Sequence, residues 1–179
     1  LGIAVDTSGR AYVTGLTAST ETTFPKLVGP SLTFKGAIDA FVARVKADGS
    51  GLDYAGYLGG TGDDQGRSIA VDSGGNAYVA GLTTSSEKSF SMVGTLDAVF
   101  NGGTDAFVAK VNSTGAAVTY SGYIGGSGID EAYGIAVDGA GNTYVTGRTN
   151  STETTFPETV GPDLTANGGF AASVAKINA

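Results

Sequence analysis

The chain contains no cysteine, no histidine and no tryptophan, one methionine and only 4 prolines in 179 residues. Losing the first two removes the thiol nucleophile, thiolate metal sites, disulfides and the commonest general base together. Charged residues make up only 15%, which does not fit the highly charged composition of disordered segments. No apolar run approaches the roughly 20 residues that a membrane-spanning helix needs. Nor does a charged stretch followed by an apolar one open the chain, which begins without Met at Leu1, inside a strand-like run, and so reads as a processed or excised piece. Basic residues number 10 against 17 acidic ones, giving a net charge of −7, so nucleic acid is not an expected partner. What the chain has in plenty is glycine, 30 residues, beside 41% hydrophobic residues. That mixture describes a folded, turn-rich β protein.

Internal repetition dominates the sequence. Ile3-Ala4-Val5-Asp6 returns as Ile69-Ala70-Val71-Asp72 and as Ile135-Ala136-Val137-Asp138, a period of 66 residues. Tyr12-Val13, Gly15 and Phe24 recur at the same offset, as does Phe41-Val42-Ala43 in Phe107-Val108-Ala109. The repeat units are residues 1–66, 67–132 and 133–179, together one continuous repeat domain, with the last unit ending before a fourth strand.

Each unit carries four short runs rich in β-branched and aromatic residues, separated by turn chemistry. In the first unit these predicted strands are Gly2 to Asp6, Ala11 to Leu16, Asp39 to Val45 and Leu52 to Leu58. A hairpin turn joins the first two, with Asp6 placed to bond nearby amides and Gly9 available for positive φ. The Gly59-Gly60-Thr61-Gly62-Asp63-Asp64 segment is expected to be the loop leading to the next unit. Ala40-Phe41-Val42-Ala43 is apolar on both faces, so its sheet must be covered on both sides, with Phe41, Val42, Phe107 and Val108 buried. The predicted fold class is all-β, a β-propeller-like array of four-stranded antiparallel blades in three repeats, the last lacking its fourth strand.

Tyr57-Leu58-Gly59-Gly60, Ile69 to Asp72, Asn76 to Gly81 and Asp105 to Lys110 stand in fixed order. In this arrangement the chain resembles the SBBP β-propeller repeat, with blades similar to those of NHL type. The third copy departs where Ala171 and Ser173 replace the Asp and Phe of the other two. The resemblance implies a secreted or surface-associated bacterial propeller, hence an extracellular or cell-surface location.

Candidate sites are few. Asp63-Asp64 and Asp130-Glu131 could supply paired carboxylates for glycoside hydrolysis, but a site repeated in every unit suits structure better than catalysis, and no catalytic residue is assigned. The Gly-Gly-x-Gly-x-Asp openings at Gly59 and Gly125 match a calcium-binding nonapeptide, which makes Asp63, Asp64, Asp130 and Glu131 the candidate metal ligands and calcium the one candidate cofactor. Asp6, Asp72 and Asp138 read as turn caps rather than ligands. Tyr54, Tyr57, Tyr120 and Tyr123 read as packing residues rather than a carbohydrate strip. Arg67 and Arg148 break the repeat without forming a recognisable catalytic set.

The functional expectation is a structural or adhesive interaction module and not an enzyme, with a carbohydrate-active fragment as the alternative. Three blades fall short of the roughly four to eight that close a propeller, so the expected partners are other copies of the chain or further repeats, and beyond them extracellular protein or polysaccharide.

Overall fold

The computed structural model describes residues 1–94, 96–157, 164–166 and 168–179. Eleven strands and no helix occur among them: β1 (Gly2–Val5), β2 (Ala11–Thr17), β3 (Asp39–Val45), β4 (Leu52–Leu58), β5 (Asp64–Val71), β6 (Ala77–Thr83), β7 (Asp105–Val111), β8 (Val118–Ile124), β9 (Asp130–Val137), β10 (Thr143–Thr149) and β11 (Ala171–Ile177). They form three antiparallel sheets in the orders β1-β2-β3-β4, β5-β6-β7-β8 and β11-β10-β9. The first sheet packs on the second through β1, β2 and β3 against β5, and the second on the third through β5, β6 and β7 against β9. Among the described residues no helix is long and apolar enough to cross a membrane.

Each sheet is built by the same local devices. At the first hairpin the Asp6 carboxylate accepts from the Ser8 and Arg10 amides at 2.9 and 3.0 Å, and Gly9 takes φ 80°, a conformation that costs glycine little. Its other oxygen accepts from Tyr12 OH at 3.1 Å, and Arg44 lies over that ring at 5.8 Å. Asp72, Tyr78 and Lys110 repeat the arrangement, as do Asp138, Tyr144 and Lys176. A carboxylate, a phenol and a cation thus link strands one, two and three of every sheet.

The structure departs from the sequence reading in two places. β5 and β9 begin at Asp64 and Asp130, so these residues are not loop but the first strand positions, fully buried. The strands run on because a β-bulge lets the extra residues pair. Arg67 and Tyr133 are the bulged residues, opposite Gly81 and Gly147, where a Cβ would lie 1.8 and 1.9 Å from the carbonyl oxygens of Gln65 and Glu131. The second departure is Phe41, which is only half-buried while Phe107, Val42 and Val108 are fully buried. Phe41 lies on the face of the first sheet that has no sheet in front of it.

The connection between the second and third strands has a role the sequence did not reveal. It folds back along the outer strand, where Ala55 N donates to Val28 O at 2.9 Å and Tyr57 N to Ser31 O at 2.8 Å, and in the next unit Ser121 N donates to Val93 O and Tyr123 N to Asp97 O, both at 2.8 Å. Backbone groups of an otherwise open sheet edge are thereby satisfied.

Candidate functional site

Three groups of polar side chains stand out from this scaffold. The first is the set of turn aspartates. The Asp72 carboxylate accepts from the Gly74 and Asn76 amides, the Asn76 side-chain amide and Tyr78 OH, all between 2.8 and 3.0 Å, and Asp138 accepts from the equivalent four donors. Burial works against ionisation of Asp6 and Asp72, but the hydrogen bonds outweigh it and hold both below the usual carboxylate range. At Asp138 the bond from Asn142 is the chief cause of the same lowering. These carboxylates cap turns and have no lone pair to offer a ligand.

The second group lies where one sheet hands the chain to the next. Asp39 at the start of β3 and Asp64 at the start of β5 flank Gly59, whose Cβ would fall 2.7 Å from one Asp64 oxygen and 3.0 Å from Asp39. Asp105 and Asp130 flank Gly125 in the same way, at 2.9 and 3.1 Å. Asp64 accepts from the Gly60 amide and Ser85 Oγ at 2.8 Å each, and from Thr83 Oγ1. Burial, reinforced by Asp39, pushes the Asp64 carboxyl up to about 6 despite these donors. Burial does the same to Asp105, raised to about 6 with a further push from Asp130, and it raises Asp39 as well.

The four metal candidates are not brought together. Asp63 is exposed in its loop while Asp64, next to it, is buried. Asp130 is buried, and its neighbour Glu131 is turned aside into an ion pair with Arg148 at 2.5 Å. Among the described residues no group of three or more Asp or Glu side chains is placed to hold a metal ion. Sequence reasoning missed Asp39 and Asp105, which are the actual neighbours of Asp64 and Asp130. Tyr54, Tyr57 and Tyr123 are buried, in keeping with packing.

The third group departs from the repeat. Arg148 carries the Glu131 ion pair and lies over the rings of Tyr133 at 5.8 Å and Phe170 at 4.3 Å, and Tyr133 OH donates to the same Glu131 oxygen. The bond from Tyr133 and the ion pair hold Glu131 below the usual range in spite of burial, with Arg67 adding its charge. The Arg67 Nε is buried without a hydrogen-bond partner. The equivalent positions one unit earlier are Gln65, Arg67, Leu82 and Thr104 in place of Glu131, Tyr133, Arg148 and Phe170. Nothing in the repeat scaffold requires this cluster, and its two rings are among the exposed large hydrophobics.

Comparison with known families agrees with this geometry. The SBBP β-propeller repeat model matches residues 53–87 and 119–153. Each match covers the last strand of one sheet and the first two of the next, the junction that includes the buried Asp64 or Asp130 but not its neighbour Asp39 or Asp105. No curated protein matches the chain.

Proposed function

We propose, for a chain that carries SBBP β-propeller repeats, that it is an interaction module of a secreted or cell-surface bacterial protein, extended by blades of its own kind and without catalytic activity. The observation that carries this reading is that its two uncovered end faces are the repeat counterparts of the two faces that meet between its first and second sheets. Ile69, Val79 and Phe107 of the second sheet face the first, and their counterparts Ile3, Val13 and Phe41 form the first sheet's uncovered face, with Ile3 69% exposed. Tyr12 and Val42 of the first sheet face the second, and their counterparts in the third sheet, Tyr144 and Val174, are exposed.

A trailing face therefore matches a leading face. Such head-to-tail contacts build a ring where the rotation closes and a filament where it does not, and a second copy of the chain supplies the required blade. The Arg67, Glu131, Tyr133, Arg148 and Phe170 cluster would then engage an extracellular protein or polysaccharide through aromatic and charged contacts. The absence of catalysis is supported by burial, because the carboxyls at about 6, Asp64 and Asp105, have no exposed surface for a substrate to reach.

Light scattering on the 179-residue chain tests this reading. Association is expected, and Val174→Arg should abolish it. A monodisperse monomer at every concentration overturns the proposal.

A further inference from the structure

The first strands of the three sheets lie side by side where the copies differ. A Cβ on Gly2 of β1 would fall 2.9 Å from Ser68 Cα of β5, and Ile135 N of β9 donates to Ser68 Oγ at 3.3 Å. Leu1, Arg67 and Tyr133 hold the same repeat position beside these contacts. Arg67 and Tyr133 are the bulged residues of their strands, so each is left out of the backbone ladder while the scaffold around it is kept. In the first unit the counterparts of Arg67, Arg148 and Phe170 are the aliphatic Leu1, Leu16 and Ile38. The charged and aromatic cluster therefore arises only where the second and third sheets meet.

Its two arginines are not in the same state. Arg148 is paired with Glu131 and lies against two rings. Arg67 makes no ion pair and donates no side-chain hydrogen bond among the described residues, and its Nε is buried. Its charge acts on both Glu131 and Tyr133, so the guanidinium lies on the side of the cluster. A dehydrated guanidinium nitrogen without an acceptor is costly. Two arginines against one glutamate also leave one positive charge uncompensated, in a chain whose net charge is −7. The missing partner is an anion, and the fork of an arginine fits a planar carboxylate through two parallel hydrogen bonds.

The rings indicate what carries that carboxylate. Tyr133 is 45% and Phe170 48% exposed, and both lie against the Arg148 guanidinium. Together they offer apolar faces beside charged groups, a surface that suits the C–H face of a sugar ring whose substituents are polar. An extended peptide fits less well. Peptides that add to a sheet pair with a regular strand edge, and the bulges at Arg67 and Tyr133 interrupt that edge.

We propose that Arg67, Tyr133, Arg148 and Phe170 bind a uronic acid residue of an acidic polysaccharide, its carboxylate on the Arg67 guanidinium and its C–H face on the two rings. Glu131 holds Arg148 and Tyr133 in position. This assignment rests on the reading of the chain as an interaction module and names the ligand class of its polar cluster.

The test is calorimetric titration of the whole chain, in chelator, with short oligomers of galacturonate, glucuronate and mannuronate, beside the methyl ester of each and poly-glutamate. At least one uronate oligomer is expected to bind, more weakly as salt rises, and its methyl ester to lose about tenfold in affinity or more. Arg67→Gln should lose about tenfold as well, and Arg67→Lys less, because it keeps the charge without the fork. Phe170→Ala should weaken binding several-fold. That change alters an exposed ring, so it keeps the test open should an Arg67 variant fail to melt cooperatively. Silence from all of the oligomers overturns the proposal, as does an ester that binds as well as its acid or an Arg67→Gln chain that binds like the parent. Poly-glutamate binding as tightly as the best oligomer would assign the site to acidic peptide instead. Light scattering on the same samples separates this site from the wider reading. A chain that associates without binding uronate loses the site alone, and one that binds uronate as a monomer keeps the site and loses the head-to-tail contact.

Discussion

The second sheet and the two that flank it are written in nearly the same residues, yet they are not equally buried. β6 is buried at every position and β7 at all but Lys110, whereas β1 and β11 alternate between half-buried and exposed. Ile69 is 6% exposed and its equivalent Ile3 69%. Sequence decides which residues can be core, and place in the array decides which are. In a repeat protein the contribution of a unit depends on its neighbours, and this chain holds one fully neighboured sheet between two half-neighboured ones.

The largest consequence should be seen at Phe107, which is fully buried between Phe90 at 5.1 Å and the core of the first sheet. Phe107→Ala should cost about 3 to 5 kcal/mol by urea unfolding, as large-to-small core substitutions do. Phe41→Ala, the same change on an uncovered face, should cost less than half as much. Equal costs for the two would break the distinction between inner and outer sheets.

Acidity should sharpen it next. Both carboxyls raised to about 6, Asp64 and Asp105, belong to the second sheet. A group whose folded pKa is raised gives its full stability below its unfolded pKa, near 4, and loses it as pH climbs through the folded value. The chain should therefore weaken as pH rises from about 4 to about 7, by up to about 3 kcal/mol for each group. Asp6, Asp72 and Asp138 act in the opposite sense, since their lowered pKa stabilises above about 4 and is lost on further acidification. Maximum stability is expected near pH 4. Asp64→Asn should flatten the upper limb, and a profile that rises from pH 5 to 8 would contradict the assignment.

A smaller effect is expected at the turns. Asp72→Ala removes four hydrogen bonds from the hairpin of the inner sheet and should cost about 1 to 3 kcal/mol. Asp138→Ala, in the more exposed hairpin of the outer sheet, should cost less.

Strand positions, the turn aspartates and the shortened third sheet could be read in the sequence because each rests on local pattern: alternation, an Asp-x-x-Gly turn, a fixed period. The carboxylate pairs could not. Asp39 and Asp64 are neighbours only because the third strand of one sheet and the first of the next start at the same end, and a glycine-rich stretch hides that β5 already begins at Asp64. The polar cluster was half visible: Arg67 and Arg148 break the repeat, but only the bulges at Arg67 and Tyr133 explain why such side chains gather.

The smallest expected effect is the most informative about the outer sheets. Val174 occupies the same repeat position as Val42 and Val108, both fully buried, yet it is 79% exposed. Burying a valine contributes roughly 1.5 to 3 kcal/mol, and this one has almost none of that contribution in the isolated chain. Val174→Ser, measured by urea unfolding at a dilution where light scattering shows a monomer, should change stability by less than about 0.5 kcal/mol. Val108→Ser, the same substitution in the second sheet, should cost several times more, because it also buries a hydroxyl. At higher concentration the comparison should change. Once a leading face covers the trailing one, Val174 becomes a Val108, and the serine variant should associate more weakly than the parent. A Val174→Ser cost that is small in the dilute monomer and grows with concentration would locate the missing blade on this face. A cost as large as that of Val108→Ser in the dilute monomer would mean that the third sheet is already covered, and the inequality between the inner and outer sheets would be gone.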